Sequence, residues 1–133
     1  MKAAVLADAG PLYAAVDPDD GHHKQALREL DGLAREKREI VVAFSTLLEA
    51  YSLILYRLGR NTAMRWLNEM SSTTLVNPST EDYRQAAARL AAFADQSITL
   101  FDATVAVLAS RMEVQVWTYD HHFDVMRVPV WRR

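Results

Sequence analysis

Short apolar runs alternate along this chain with longer stretches of helical periodicity, and that alternation restricts the fold more than any other feature. The runs cover residues 3–7, 40–44 and 114–118, with 73–76 as a briefer fourth. Residues 22–37 carry Ala26, Leu27, Leu30, Leu33 and Ala34 on one helical face. From Ser45-Thr46 onward a second helix presents Leu47, Leu48, Tyr51, Leu55 and Leu58, and Gly59 is a natural stop. Residues 61–70 complete a helical hairpin, and 80–95 and 102–112 read as two further helices. A short apolar helix over 12–16 follows the Gly10-Pro11 turn, and Asp17-Pro18-Asp19-Asp20-Gly21 is a turn that opens the next helix. Strands separated by helices require crossovers, so the sheet is expected to be mostly parallel with helices on both faces, an α/β fold. Residues 128–130 suit a short edge segment, where Pro129 is tolerated. At 133 residues, without internal repeat or linker, the chain reads as one domain over 1–133.

Composition removes several function classes. There is no cysteine, which excludes disulfides, thiolate zinc sites and cysteine nucleophiles and fits a reducing cytoplasm. The apolar stretch after Met1-Lys2 is too short for a signal peptide and is interrupted by Asp8, and no run approaches a membrane span. The formal net charge of -2 argues against whole-surface electrostatic binding of nucleic acid. Arginine nevertheless clusters at Arg57, Arg60 and Arg65 and at Arg127, Arg132 and Arg133, either as phosphate contacts or as solvated faces. A Gly-x-Ser-x-Gly elbow and a phosphate-binding glycine loop are both missing, and Ala9-Gly10 after Asp8 disfavours an Asp-x-Asp phosphatase. Trp66, Trp117 and Trp131 lack the spacing of an aromatic platform, and Trp66 and Trp131 read as core or interface residues. His22-His23 and His121-His122 raise the question of a transition-metal site. Adjacent helical residues point about 100° apart, so neither pair is a good chelate alone. The first pair suits a surface helix start, and His122 is a candidate for the mouth of a pocket.

Four acids, Asp8, Glu49, Asp102 and Asp120, stand just after or close behind apolar segments, with residues 98–101 preceding Asp102. A parallel sheet delivers the carboxyl ends of its strands to one edge, where α/β proteins bind ligands. Each acid also has a local explanation. Thr46-Leu47-Leu48-Glu49 and Thr99-Leu100-Phe101-Asp102 have capping-box spacing, Asp8 suits a turn or cap, and Asp120 suits a turn. If the four converge, two carboxylates about 4 Å apart repel by roughly 4 kcal/mol at an effective dielectric near 20, so a cation or protons must offset the charge. Magnesium or manganese is the natural cation for such oxygen donors, and phosphodiester hydrolysis is the reaction class that follows.

The ordered series Val5-Leu6-Ala7-Asp8-Ala9-Gly10-Pro11-Leu12, Ser45-Thr46-Leu47-Leu48-Glu49-Ala50, Leu100-Phe101-Asp102-Ala103 and Thr118-Tyr119-Asp120-His121-His122-Phe123 resembles the PIN-domain family, most closely its VapC-type toxins. The resemblance runs through nearly the whole chain. It implies an α/β/α sandwich on a small central parallel sheet and a Mg²⁺- or Mn²⁺-dependent endoribonuclease, the toxin of a type II toxin–antitoxin pair. It further implies a tRNA or rRNA substrate, a cognate antitoxin and a homodimer. Carried onto this chain, Asp8 and Asp102 become the principal metal ligands. Glu49 binds metal or orients water, Asp120 completes the pocket, and Thr118 positions that last carboxylate. Arg57, Arg60 and Arg65 are expected to hold flanking phosphates. Ala9 departs from the Thr or Ser common at that position, and Asp124 adds an acid without an assigned role. Two other readings compete: the same fold as a non-catalytic module binding RNA or a protein, with the acids as caps, and a DNA-directed nuclease of the same family.

Overall fold

The computed structural model describes residues 4–132. Ala3 of the first apolar run and Arg133 of the C-terminal cluster lie outside them. The elements run β1 (Ala4–Ala7), α1 (Ala9–Ala14), α2 (His23–Arg35), β2 (Glu39–Ala43), α3 (Phe44–Leu58), α4 (Arg60–Met70), β3 (Thr74–Val76), α5 (Thr80–Ala92), α6 (Leu100–Met112), β4 (Gln115–Trp117) and α7 (His122–Val125). The four strands form one sheet in the order β3-β2-β1-β4, every pair parallel. Leu6 pairs with Val41 on one side and Val116 on the other, which fixes the register of the two central pairings. Beyond β4, Val130 makes a parallel bridge to Val116, so the proline-containing segment does take an edge position.

Alternation of side chains along each strand builds two cores. Ala4, Leu6, Val41, Ala43 and Val116 pack with residues of α5, α6 and α7 on one face. Val5, Ala7, Val42 and Trp117 pack with α1, α2, α3 and α4 on the other. The result is the α/β/α sandwich expected from the sequence. Trp66, Trp117 and Trp131 all belong to the second core. α6 is buried from Asp102 through Ala109, lying between α5 and the sheet, which explains why its apolar residues show so little sidedness.

Helix ends follow local chemistry. Gly59 ends α3 at φ 89°, a conformation costly for any residue with a Cβ. Capping boxes open α5 (Ser79 with Asp82) and α6 (Thr99 with Asp102). The expected helix over 80–95 ends earlier, at Ala92, where Phe93 leaves helical geometry. Three residues assigned to buried faces are exposed: Leu27, Ala34 and Leu48. In α2 the buried stripe is Ala26, Glu29, Gly32 and Leu33, so a charged residue occupies the inner position that periodicity alone would fill with leucine. Among the described residues no helix is long and apolar enough to cross a membrane.

Buried Asp82 ties the two helices of the outer layer together. Arg111 of α6 donates to its two oxygens from Nε and Nη2 at 2.9 and 2.8 Å, while the same carboxylate accepts the Ser79 N–H at 2.8 Å. Arg111 holds this carboxyl below its ordinary range. Replacing Asp82 with alanine removes a cap and a charge-assisted pair together. Urea denaturation is expected to show a loss of about 2 kcal/mol.

Candidate active site

All four residues of β1 are buried, and the chain leaves the strand directly into Asp8. Asp8 is extended (φ −87°, ψ 166°), precedes α1, and its N–H donates to the Trp117 carbonyl at 2.9 Å. The backbone at Asp8 is therefore pinned to β4. Its Oδ2 accepts a 2.8 Å hydrogen bond from Thr118 Oγ1, and the same Thr118 oxygen accepts the Asp120 N–H at 3.0 Å. One hydroxyl thus orients the Asp8 carboxylate and holds the backbone at Asp120. This corrects the expected role of Thr118, whose side chain bonds the carboxylate of Asp8 and not that of Asp120. Asp120 Oδ1 accepts the His122 N–H at 2.9 Å, the turn geometry expected of an aspartate there.

The remaining acids come from helices. Asp102 is the third residue of α6: its Oδ2 accepts the Thr99 N–H at 3.2 Å, and its own N–H donates to Thr99 Oγ1 at 3.1 Å. The capping box predicted there is formed. Its Thr46–Glu49 counterpart is not, because α3 begins at Phe44, two residues ahead of Thr46, and Ala43 caps it without a side-chain bond. Glu49 instead lies in the second turn of α3, with a buried Oε1 that has no hydrogen-bond partner among the described residues. Residues 98–101 are not a strand. Ile98 is buried, Thr99 caps, and Leu100 and Phe101 begin α6, so Asp102 reaches the site from a helix start and not from the sheet.

Asp8, Glu49, Asp102 and Asp120 line one open cavity of about 370 Å³, together with Asp20, His22, Tyr13, Tyr119, Thr99 and Arg57. The cavity opens beside β1 and β4, at the point where the strand order reverses, as expected for an open parallel sheet. Burial pushes the Asp8 carboxyl up to about 6. The Thr118 hydroxyl opposes that shift, and the charges of Asp102 and Asp120 add to it. Glu49 is pushed up to about 7, first by burial and then by Asp8 and Asp102. Asp102 is also raised by burial, against its capping bonds to Thr99 and with Asp120 adding to the rise. Desolvated, mutually repelling carboxylates and one orphaned oxygen suit a hard divalent cation that keeps part of its water shell.

The histidines divide. His22 caps α2, and His23 Nδ1 lies 2.7 Å from the Ala14 carbonyl oxygen, as expected for a helix start. His121 and His122 stand at the start of α7 with their rings 4.3 Å apart, and Asp120 joins them. Their donor atoms and an Asp120 oxygen all lie within 4.8 Å of one another. His122 is largely buried, with Nδ1 3.0 Å from Asp120 Oδ1. Of the three rim arginines only Arg57 lines the cavity, its guanidinium 5.1 Å from the centre of the Tyr13 ring. Arg60 and Arg65, on α4, do not line it, and Asp124 pairs with Arg132 at 2.8 Å. Tyr13, Asp20 and Tyr119 are cavity residues that sequence reasoning passed over. Only the position of Tyr119, between Thr118 and Asp120, pointed to it.

The sequence model of the PIN domain matches residues 5–129. The chain belongs to the PIN domain family. No curated protein matches it in sequence. Among solved structures, this PIN domain is similar to VapC20 of Mycobacterium tuberculosis, a sarcin–ricin loop cleaving toxin. The two are 18% identical over 97% of this chain and 99% of that one, with a TM-score of 0.87. It is also similar to VapBC2 of Rickettsia felis bound to a promoter DNA fragment, at 14% identity over 97% of each chain and TM-score 0.74. FitAcB of Neisseria gonorrhoeae follows at 16% identity over 96% of each chain and TM-score 0.68.

The raised Asp8 carboxyl has a stability consequence of definite sign. Its folded value near 6 exceeds the ordinary value of 3.8, so the folded state holds the proton more tightly. The resulting stabilisation is complete below about pH 4 and is lost as pH rises through 6. Above that range the buried charge costs on the order of 3 kcal/mol. In EDTA, Asp8→Asn is therefore expected to unfold at higher urea than the parent protein at pH 7.5. The advantage should vanish near pH 4.

Proposed function

We propose that this PIN domain is a divalent-metal-dependent endoribonuclease, acting in the cytoplasm as the toxin of a type II toxin–antitoxin pair. The observation that carries the reading is the gathering of Asp8, Glu49, Asp102 and Asp120 from four separate segments into one cavity, with three of the four carboxyls raised. Capping does not account for it. Asp8 makes no side-chain cap to α1, and Glu49 makes none to α3. A module that merely bound a partner would have no reason to keep uncompensated carboxylates buried together.

Asp8 and Asp102 would be the principal ligands for Mg²⁺ or Mn²⁺, with Asp120 completing the pocket. When bound, the ion supplies Lewis acidity at the phosphate and lowers the pKa of a coordinated water. The chain's own residues do the rest. Thr118 fixes the direction of the Asp8 carboxylate, and the Thr99 cap fixes Asp102. Glu49, whose carboxyl titrates near neutrality, orients the attacking water and takes its proton. Arg57, steadied by Tyr13, holds a flanking phosphate as a planar fork.

RNA as substrate and an antitoxin as partner are supported by kinship of fold. One similar structure is a toxin that cleaves the sarcin–ricin loop, and another is a toxin–antitoxin complex from Klebsiella pneumoniae. Protein partners, a second copy or an antitoxin, also account for a groove lined by Phe44, Leu48, Tyr56, Tyr83 and Phe101, all of them exposed.

Incubation of the protein with total RNA should give Mn²⁺- or Mg²⁺-dependent cleavage that EDTA abolishes. Asp8→Asn and Asp102→Asn should each lower it at least about a hundredfold. Cleavage that survives EDTA or both substitutions refutes the mechanism. Mn²⁺ affinity, measured by calorimetry, should weaken as pH falls from 7.5 through 6, because the raised Glu49 and Asp8 carboxyls must lose protons to bind. Thr118→Val should weaken Mn²⁺ binding roughly tenfold while Thr118→Ser retains it, as expected for a residue that orients a ligand.

A further inference from the structure

Two rings at the cavity take no part in the acidic cluster. His22 and Tyr119 are stacked, with centroids 4.4 Å apart and planes inclined by 13°. Their arrangement is built from behind. The Tyr119 hydroxyl donates to Oε1 of buried Glu29 at 2.6 Å, and that oxygen also accepts Trp117 Nε1–H at 3.1 Å. That bond commits the phenol hydroxyl to Glu29, away from the open cavity. Tyr119 therefore offers the cavity its ring and not its oxygen. In front, the His22 backbone is fixed by donation of its N–H to Asp20 Oδ1 at 2.8 Å, and its side chain remains 54% exposed.

We propose that the His22–Tyr119 stack is a nucleobase subsite, which receives the base of a nucleotide whose phosphate lies at the acidic cluster. The inference rests on the RNA reading above and deepens it. A fixed pair of parallel rings whose outer member is open to solvent is extended by a third planar ring at little entropic cost. Unpaired bases are held on such surfaces with little regard to sequence. The neighbouring charge favours the base end of a nucleotide. Asp20, whose Oδ1 is 3.8 Å from His22 Nδ1, repels a phosphate and can accept an exocyclic amine. Glu29 is a positioning residue that acts through Tyr119.

The test compares ligands with and without a base. In Mg²⁺, adenosine 5′-monophosphate should move the His22 ring-proton resonances upfield, whereas ribose 5-phosphate should leave them in place. In steady-state RNA cleavage, His22→Ala should raise KM roughly tenfold with kcat little changed, and His22→Phe should restore KM. Glu29→Gln should reduce the adenosine-induced shift. His22 resonances that respond equally to both ligands, or to neither, overturn the proposal, as does a His22→Ala variant with unaltered KM. Failure of the nuclease reading looks different: cleavage would then survive Asp8→Asn, while the comparison of the two phosphates would still judge the stack.

Discussion

β1 is hydrogen-bonded on both edges and buried on both faces, and the placement of the acid at the centre of the cavity, Asp8, depends on that confinement. A strand with no freedom leaves its last carbonyl and the following residue no freedom either. Asp8 cannot swing out to water, because its own N–H is tied to Trp117 and its carboxylate is received by Thr118. The carboxylate is held where desolvation works against its charge, and a single neutral hydroxyl offsets only part of the penalty. The central strand thus converts hydrophobic burial, which is non-directional, into a fixed and electrostatically unfavourable placement of one acid.

The other acids aggravate that placement. Glu49, Asp102 and Asp120 arrive from α3, α6 and the turn after β4; Asp102 and Asp120 raise the cost of ionising Asp8, and Asp8 and Asp102 that of ionising Glu49. Arg57 is the arginine that lines the cavity, and its guanidinium is directed over Tyr13. Arg111, by contrast, fully answers buried Asp82 a layer away. The contrast is informative. The fold can pair a buried carboxylate with a bidentate arginine where only structure is at stake, and among the described residues the cavity carboxylates have none. A stable protein tolerates such a deficit when a ligand makes it good.

Much of the fold was legible in the sequence for one physical reason. Strands covered on both faces read as continuous apolar runs, and β1, β2 and β4 are such strands. The acids were legible because they follow or flank those runs. What escaped the sequence depends on partners distant along the chain. Glu29 occupies the inner face of α2 because Trp117 and Tyr119, some ninety residues on, supply its hydrogen bonds, and no helical periodicity anticipates that. Thr118 was assigned to the nearer carboxylate, Asp120, whereas the parallel pairing of β4 with β1 aims its hydroxyl at Asp8. The Thr46–Glu49 spacing matched a capping box that never forms, since α3 starts before Thr46. Spacing alone cannot identify a cap without the helix start.

The two capping-box patterns also settle how a cap and a site can share a residue. Asp102 spends Oδ2 on the Thr99 N–H, and Oδ1 lies outside that reciprocal pair. Capping therefore fixes the carboxylate plane without consuming both oxygens, which is the arrangement a ligand set requires when little side-chain entropy is to be lost on binding. The helix start adds a further effect. The N-terminal end of α6 carries a partial positive charge that favours an anion there. It supports ionised Asp102 beside three other acids before any cation is bound. Glu49, one full turn further into its helix and without a cap, has no comparable support, and its carboxyl is the one raised to about 7. Of two carboxylates with the same sequence spacing, the one at the helix start has capping bonds to Thr99 that oppose the effect of burial, and the one inside the helix meets burial and the charges of Asp8 and Asp102 with no such bonds.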